Sequence, residues 1–323
     1  MGWRRVAERI LAIAGAVCLP GLALAAAACE DDGLERRCFD WPNPKPCESG
    51  SAGTGSTDAN AACPSEAEAG AYFCENSPEY LNGKKEDGQC CYDVNYGSGR
   101  PLRIDGAVHV ATVKAHGGSI ELPPDADAAL WLRDGLAEHA SIASFSRAAL
   151  ELMALGAPLE LVEACHHAAL DEARHARVCF AEARRRGAHV TPDRLEMGAS
   201  LPLARTLEEL VASTFREGCV GEAVASAILF ERAAATEEPR LRSELLRMAE
   251  DEGRHAELGW RIVRWGCEAG GEGVARVLED VASKVGEAPL DGFLAPARFR
   301  EVERSVLRDV VGPAATACAQ PVT

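Results

Sequence analysis

The chain has 323 residues, 47% of them hydrophobic, and its 50 acidic against 34 basic side chains leave a formal charge of −16. That hydrophobicity supports a packed core and excludes disorder throughout. The charge excludes recognition of a phosphate backbone, which needs clustered Lys and Arg, so no nucleic acid is expected as a partner and small cations are favoured.

Residues 1–28 read as an export signal: Arg4, Arg5 and Arg9 give a basic start, residues 10–28 are almost wholly apolar, and Ala26-Ala27-Ala28 precedes Cys29. The apolar run is short for a membrane span and carries Pro20 and Gly21. A small-residue run ending in Cys is similar to bacterial lipoprotein leaders, which implies membrane attachment by a lipid on Cys29. Simple cleavage beside a disulfide cysteine is the other reading. Either places the protein in the bacterial periplasm or at the outer-membrane surface. Arg4-Arg5 also fits the twin-arginine route.

Thirteen Cys, seven of them from Cys29 to Cys91, mark an oxidising compartment. Residues 29–101 are rich in Gly, Ser, Pro and Asn and short on periodic apolar pattern, so they predict an irregular region stapled by disulfides. No Cys-x-x-Cys occurs, which argues against a zinc ribbon or a rubredoxin-type iron site. Residues 50–60 look like a linker. Within residues 102–123, Leu102-Arg-Ile104 and Ala107-Val108-His109-Val110 flank Asp105-Gly106, a hairpin signal.

From Asp127 the composition shifts to Ala, Leu, Glu and Arg at helical spacing, predicting four long helices at 127–154, 158–186, 205–235 and 239–267. Gly156-Ala-Pro158 and Glu237-Glu-Pro239 are short joints, while residues 186–205 make a long crossover with Pro192 and Pro202. The expected fold class is all-α: a four-helix bundle over 124–270 with the long crossover between its second and third helices. Accessory helices are expected near 272–285 and 297–311, within 271–323.

Each helix presents one stripe that is apolar except for a Glu: Glu138, Glu172, Glu222 and Glu252. In the second and fourth helices a His follows three residues later, His175 and His255, on the same side. Those two stretches are near copies, Asp171-Glu-Ala-Arg-His175 and Asp251-Glu-Gly-Arg-His255. Four buried carboxylates would repel one another and cost several kcal/mol each to desolvate, so a cation is required. Imidazole with carboxylate suits iron or manganese better than thiophilic metals.

This pattern resembles the ferritin-like di-iron carboxylate superfamily. The resemblance implies a ferritin-like bundle with Glu138, Glu172, His175, Glu222, Glu252 and His255 as ligands to two iron ions, with iron–manganese and dimanganese pairs as variants. The fuller Asp-Glu-x-Arg-His form is similar to bacterial multicomponent monooxygenases and acyl desaturases. It implies that Asp171 and Asp251 orient the His ligands across the bundle while Arg174 and Arg254 pair with them. Ser226, one turn past Glu222, falls where some oxygen-activating relatives keep a hydroxyl; a small residue easing helix contact is the plainer reading.

Phe145-Ser-Arg147-Ala-Ala echoes Phe230-Glu-Arg232-Ala-Ala, yet Glu138 precedes its Phe by seven residues and Glu222 by eight. Either the echo is accidental or the third helix carries a one-residue bulge. Glu182 and the pair Glu237-Glu238 are expected to be solvated, His139, His166 and His167 to lie at the rim or surface, and Cys165, Cys179, Cys219 and Cys267 to be small core residues or a disulfide. All four Tyr precede residue 100, which argues against a tyrosyl radical in the helices; Trp131, Trp260 and Trp265 are core residues or electron relays. The resulting expectation is an exported oxidoreductase acting with dioxygen or peroxide and a separate electron donor. An iron-binding or ferroxidase module without organic substrate, and a non-catalytic helical surface protein, are the alternatives.

Overall fold

The computed structural model describes residues 2–14, 35–40, 63, 79–86, 89–95, 99–104, 107–115, 126–195, 197, 201–284 and 300–319. The described residues are mostly helical, with a few short strands. Four of the helical elements occupy the predicted segments: α2 (Ala126–Ala154), α3 (Leu159–Arg185), α4–α5 (Leu207–Thr214 and Glu222–Ala235, joined by a π-helical turn at Phe215–Gly221) and α6 (Pro239–Ser283).

The helix ends follow local chemistry. After α2, the Gly156 amide donates to the Met153 carbonyl at 3.3 Å and the Ala157 amide to that of Leu152 at 2.9 Å, closing the end with Gly156 at φ 76°. Gly187 ends α3 in the same way. The Thr206 hydroxyl accepts from the Glu209 amide at 3.2 Å and caps α4. The fourth helix runs past its expected end at 267: it bends at Gly271 and continues to Ser283, so the helix expected near 272–285 is an extension of α6. α7 (Arg300–Val306), a second π-helical turn (Leu307–Val311) and α8 (Gly312–Ala319) complete the C-terminal region.

α2 packs along α3, and α4–α5 along α6. The second contact is unusually close, since a Cβ on Gly259 of α6 would stand 2.8 Å from the backbone carbon of Gly218 in the π-helical turn. Only glycine permits that approach. Buried Phe145, Leu152, Leu161, Leu210 and Ile262 fill the core at one end, and Trp131, Leu132, Leu229, Leu245 and Met248 the other. Trp131 and Trp260 are core residues, while Trp265 is half-buried.

α1 (Gly2–Ala14) packs on α6 through buried Val6, Ile10 and Ala14, and Val6 fills the space left open by Gly253, where an added Cβ would meet it at 2.8 Å. Arg9 pairs with Glu257 at 2.5 Å and with Glu250 at 3.5 Å. The Ala26-Ala27-Ala28-Cys29 stretch and the 50–60 linker lie outside the described residues. Among the described residues no helix is long and apolar enough to cross a membrane.

The Cys-rich region is less irregular than expected. β1 (Glu35–Asp40), β2 (Glu79–Glu86) and β3 (Gln89–Asn95) form an antiparallel sheet with β3 in the centre, and Cys63 joins Cys90 at the base of β3. Its strands lack the apolar alternation that marks a half-buried sheet, which is why the sequence conceals them. β4 (Arg103–Ile104) and β5 (Ala107–Val108) pair antiparallel around the Asp105-Gly106 signal, those two residues themselves lying outside the description. The crossover, read from sequence as a connection only, carries β7 (Val190–Leu195), which pairs with β6 (Ala111–Ala115) and ties the start of the helical half to its middle.

Candidate metal centre

Glu138, Glu172, Glu222 and Glu252 come from four separate helical elements, α2, α3, α5 and α6, and they converge with His175 and His255. Two overlapping quartets result: Glu138, Glu172, His175 and Glu252 in one, Glu172, Glu222, Glu252 and His255 in the other, each with its donor atoms within 4.8 Å of one another. Glu172 and Glu252 belong to both. Buried Glu/His clusters of this kind could hold a metal ion.

Two features of the geometry fit a cation. His175 Nδ1 is 2.9 Å from Glu252 Oε1 and His255 Nδ1 is 2.9 Å from Glu172 Oε1, yet His175 Nδ1 and Glu172 Oε1 have no hydrogen-bond partner. Both oxygens of Glu222, a residue with no exposed surface, are unpartnered. An unpaired buried carboxylate is costly unless protonated or bound to a positive charge.

The electrostatics agree. Burial, followed by the charges of Glu172 and Glu252, pushes Glu138 well above the usual carboxylate range, and the same causes raise Glu222. Burial also pushes Glu172 and Glu252 up, but the two imidazoles outweigh it and both end below the usual range. Against burial, the surrounding carboxylates raise His175 and His255 well above ordinary histidine. Positive charge, as protons or as metal, is what the cluster demands.

Behind the imidazoles, the two Asp-Glu-x-Arg-His copies cross over. His175 Nε2 lies 3.2 Å from Asp251 on the other helix, and His255 Nε2 lies 3.5 Å from Asp171. Arg174 bonds Asp251 and also reaches Asp171 at 3.3 Å; Arg254 bonds Asp251 and stands 3.6 Å from Asp171. The neighbouring His255 draws Asp171 down to about 2. Asp251, accepting at His175 Nε2, turns that ring's Nδ1 lone pair into the cluster, the arrangement used to hold metal-binding histidines. Phe145 presses against His255, ring centroids 5.0 Å apart.

The remaining candidates fall elsewhere. Ser226 is buried and its hydroxyl donates to the Ala249 carbonyl at 2.7 Å, so it serves helix contact. Glu182 is buried, contrary to a solvated helix end, because Arg185, Arg186 and Arg240 surround its carboxylate at 2.7–3.4 Å. His166, His167 and Glu237 are exposed, Glu238 pairs with Arg185 at 3.0 Å, and His139 is half-buried. Cys165, Cys179, Cys219 and Cys267 are buried free thiols.

The third helix does carry a bulge, the π-helical turn Phe215–Gly221, but it ends just before Glu222. It therefore leaves the Glu222–Phe230 offset unexplained, and Phe230 is only partly buried where Phe145 is fully so. The arginines of the echo do correspond: Arg147 reaches across to Glu217 and Arg232 to Asp134, both at 2.8 Å. Sequence reasoning missed Glu217, Arg147 and Arg100, since in a continuous α-helix Glu217 falls off the stripe that carries Glu222.

Comparison with protein-family models, with curated proteins and with solved structures finds no match to this chain.

Proposed function

We propose that residues 124–270 are a ferritin-like four-helix bundle holding a dinuclear iron site, or its manganese-containing variants, and that the protein is an exported oxidoreductase acting with dioxygen or peroxide. The observation that carries this reading is the pair of interlocked quartets sharing Glu172 and Glu252. Two such carboxylates between two His-bearing positions match the donor set of two cations side by side. Glu138, Glu172, Glu222 and Glu252 would supply four negative charges and His175 and His255 two neutral donors, so two divalent ions balance the cluster. Bound iron supplies the electron chemistry towards dioxygen or peroxide. The chain's own contribution is to keep the His175 imidazole in the tautomer that faces inward, through Asp251, to set Asp171 beside His255 Nε2, and to exclude water from Glu172, Glu222, Glu252 and both histidines. A separate electron donor is part of the proposal.

A second reading, an iron-binding or ferroxidase module with no organic substrate, draws on a specific feature. Glu138 keeps 14% of its side chain exposed, which leaves one carboxylate of the site open towards solvent. A carboxylate at the edge suits the entry of a cation.

The export proposal rests on the leader-like sequence of residues 1–28. Cleavage before Cys29 would remove α1 and uncover the α6 face on which Val6 and Ile10 pack.

One experiment addresses these points together. The full chain is expressed in a bacterium, its intact mass is read for a start at Cys29 with or without lipid, and anaerobic Fe(II) followed by oxygen is monitored by absorbance. The expected result is about two ions bound per chain and oxidation on exposure to oxygen. Turnover of Fe(II) by oxygen alone selects the second reading, and a folded chain that binds no metal refutes both.

A further inference from the structure

Next to the cluster lies a second buried charged group, made by Arg100, Arg147, Glu151 and Glu217, each at most 6% exposed. Glu217 Oε2 accepts from Arg147 Nη2 at 2.8 Å and from the Ser144 hydroxyl at 3.3 Å, and Arg100 Nε stands 3.6 Å away. Arg147 also donates to the Arg103 carbonyl at 2.5 Å, and Glu151 accepts from the Ala204 amide at 2.9 Å. Two cations and two anions balance, as a buried group of this kind must.

Glu217 sits inside the π-helical turn, five residues before Glu222. In a regular α-helix residues five apart point about 140° away from one another, so a helix that buried Glu222 in the cluster would turn Glu217 aside. A π-helical turn closes on the fifth residue, which sets the two carboxylates on roughly the same face. Glu217 meets Arg147 in the second charged group and Glu222 joins the His255 quartet. The turn is confined on its other sides: Gly218 lies against Gly259, and an added Cβ at Gly218 would stand 3.0 Å from Arg100 Nη1. Arg100 in turn covers the Phe145 ring at 5.0 Å, the ring that presses on His255.

We propose that Glu217, clamped by Arg147 and Arg100, is a positioning residue for Glu222: the clamp holds the π-helical turn, and the turn sets the helical phase that brings the Glu222 carboxylate into its quartet. This rests on the dinuclear reading of the site. It assigns the clamp to one metal position only, because Glu222 belongs to the His255 quartet and not to the His175 quartet. Releasing the clamp lets the turn relax to α-helical winding and swings Glu222 out of the cluster, leaving Glu138, Glu172, His175 and Glu252 in place.

The test uses the full chain, titrated anaerobically with Co(II), with bound metal counted by elemental analysis, the visible spectrum of bound Co(II) recorded, and helix content read by circular dichroism. In Glu217→Gln the first ion is expected to bind as in the parent chain. Affinity for the second should fall by about tenfold or more, the size of effect seen when a group behind a metal ligand is removed, with loss of its share of the Co(II) spectrum. Arg232→Gln serves as control, since it breaks the corresponding pair with Asp134 at the other end and should leave both ions and the spectrum unchanged. Two ions with an unaltered spectrum in Glu217→Gln would overturn the proposal, as would an equal loss in Arg232→Gln, which marks a merely structural role. If Glu217→Gln loses its helix content, Glu217→Asp, which keeps the charge but shortens the reach, carries the same expectations and the same refutation. A parent chain that binds no Co(II) brings down the dinuclear reading and this proposal together, before any variant is made.

Discussion

The two sides of the cluster are held by different means. On the α3/α6 side the groups come in two five-residue stretches, Asp171, Glu172, Arg174 and His175 on one helix and Asp251, Glu252, Arg254 and His255 on the other, which face each other and are linked crosswise. On the α2/α5 side Glu138 and Glu222 have no such motif. Their helices are joined by ion pairs at either end, Arg147 with Glu217 and Asp134 with Arg232, between residues 70 and 98 positions apart. The first side is a compact motif used twice; the second is assembled by ion pairs and packing between residues far apart in the chain. The difference also divides the donors, since Glu172 and Glu252 serve both quartets whereas Glu138 and Glu222 serve one each.

That division predicts unequal losses. Glu252→Ala should abolish binding of both ions, while Glu138→Ala should leave one, as counted by elemental analysis of folded protein loaded with Mn(II) or Fe(II). Loss of both ions from Glu138→Ala would erase the distinction between shared and single-quartet donors.

The crosswise support should show a smaller, graded effect. Asp251 is buried and bonds both Arg174 and Arg254, whereas Asp171 is partly exposed. Asp251→Ala should therefore weaken metal binding by about 10–100-fold and Asp171→Ala by the lower end of that range. Competition with a chelator measures both, and a larger effect at Asp171 would reverse the ranking.

The smallest effect belongs to the far end of the α2/α5 side. Burial pushes Asp134 up, but the charges of Arg232 and Arg133 outweigh it and hold it below its ordinary 3.8. A depressed carboxyl stabilises the fold above its unfolded value and loses that contribution as pH falls through the folded one. Asp134→Asn should thus cost about 1–3 kcal/mol near pH 7, and the gap to the parent chain should narrow in acid; denaturant unfolding at both pH values checks it. An unchanged gap at low pH would show that the pair contributes by packing alone.

These two sides also mark what could be read in advance. The Asp-Glu-x-Arg-His copies are legible because a three-residue spacing on a helix fixes which side chains share a face. Helix limits were legible where Gly156 and Pro158 punctuate the chain, and less so at Gly271, where a bend took the place of a stop. Glu182 was misread because its three arginine partners come partly from another helix. The strands β1–β3 were missed because a sheet without apolar alternation carries no period-two signal.

The sequence by itself determined the helices and, on α3 and α6, the Glu and His that share an inward face, because helical periodicity is a local property of the chain. Only the tertiary structure decided that Glu172 and Glu252 are common to both quartets and that a π-helical turn ends just before Glu222. Those features depend on the relative height and phase of neighbouring helices, which are set by close contacts such as Gly218 on Gly259 and by buried ion pairs such as Arg147 with Glu217. Residues so far apart in the chain leave no mark of their pairing in any one stretch of it.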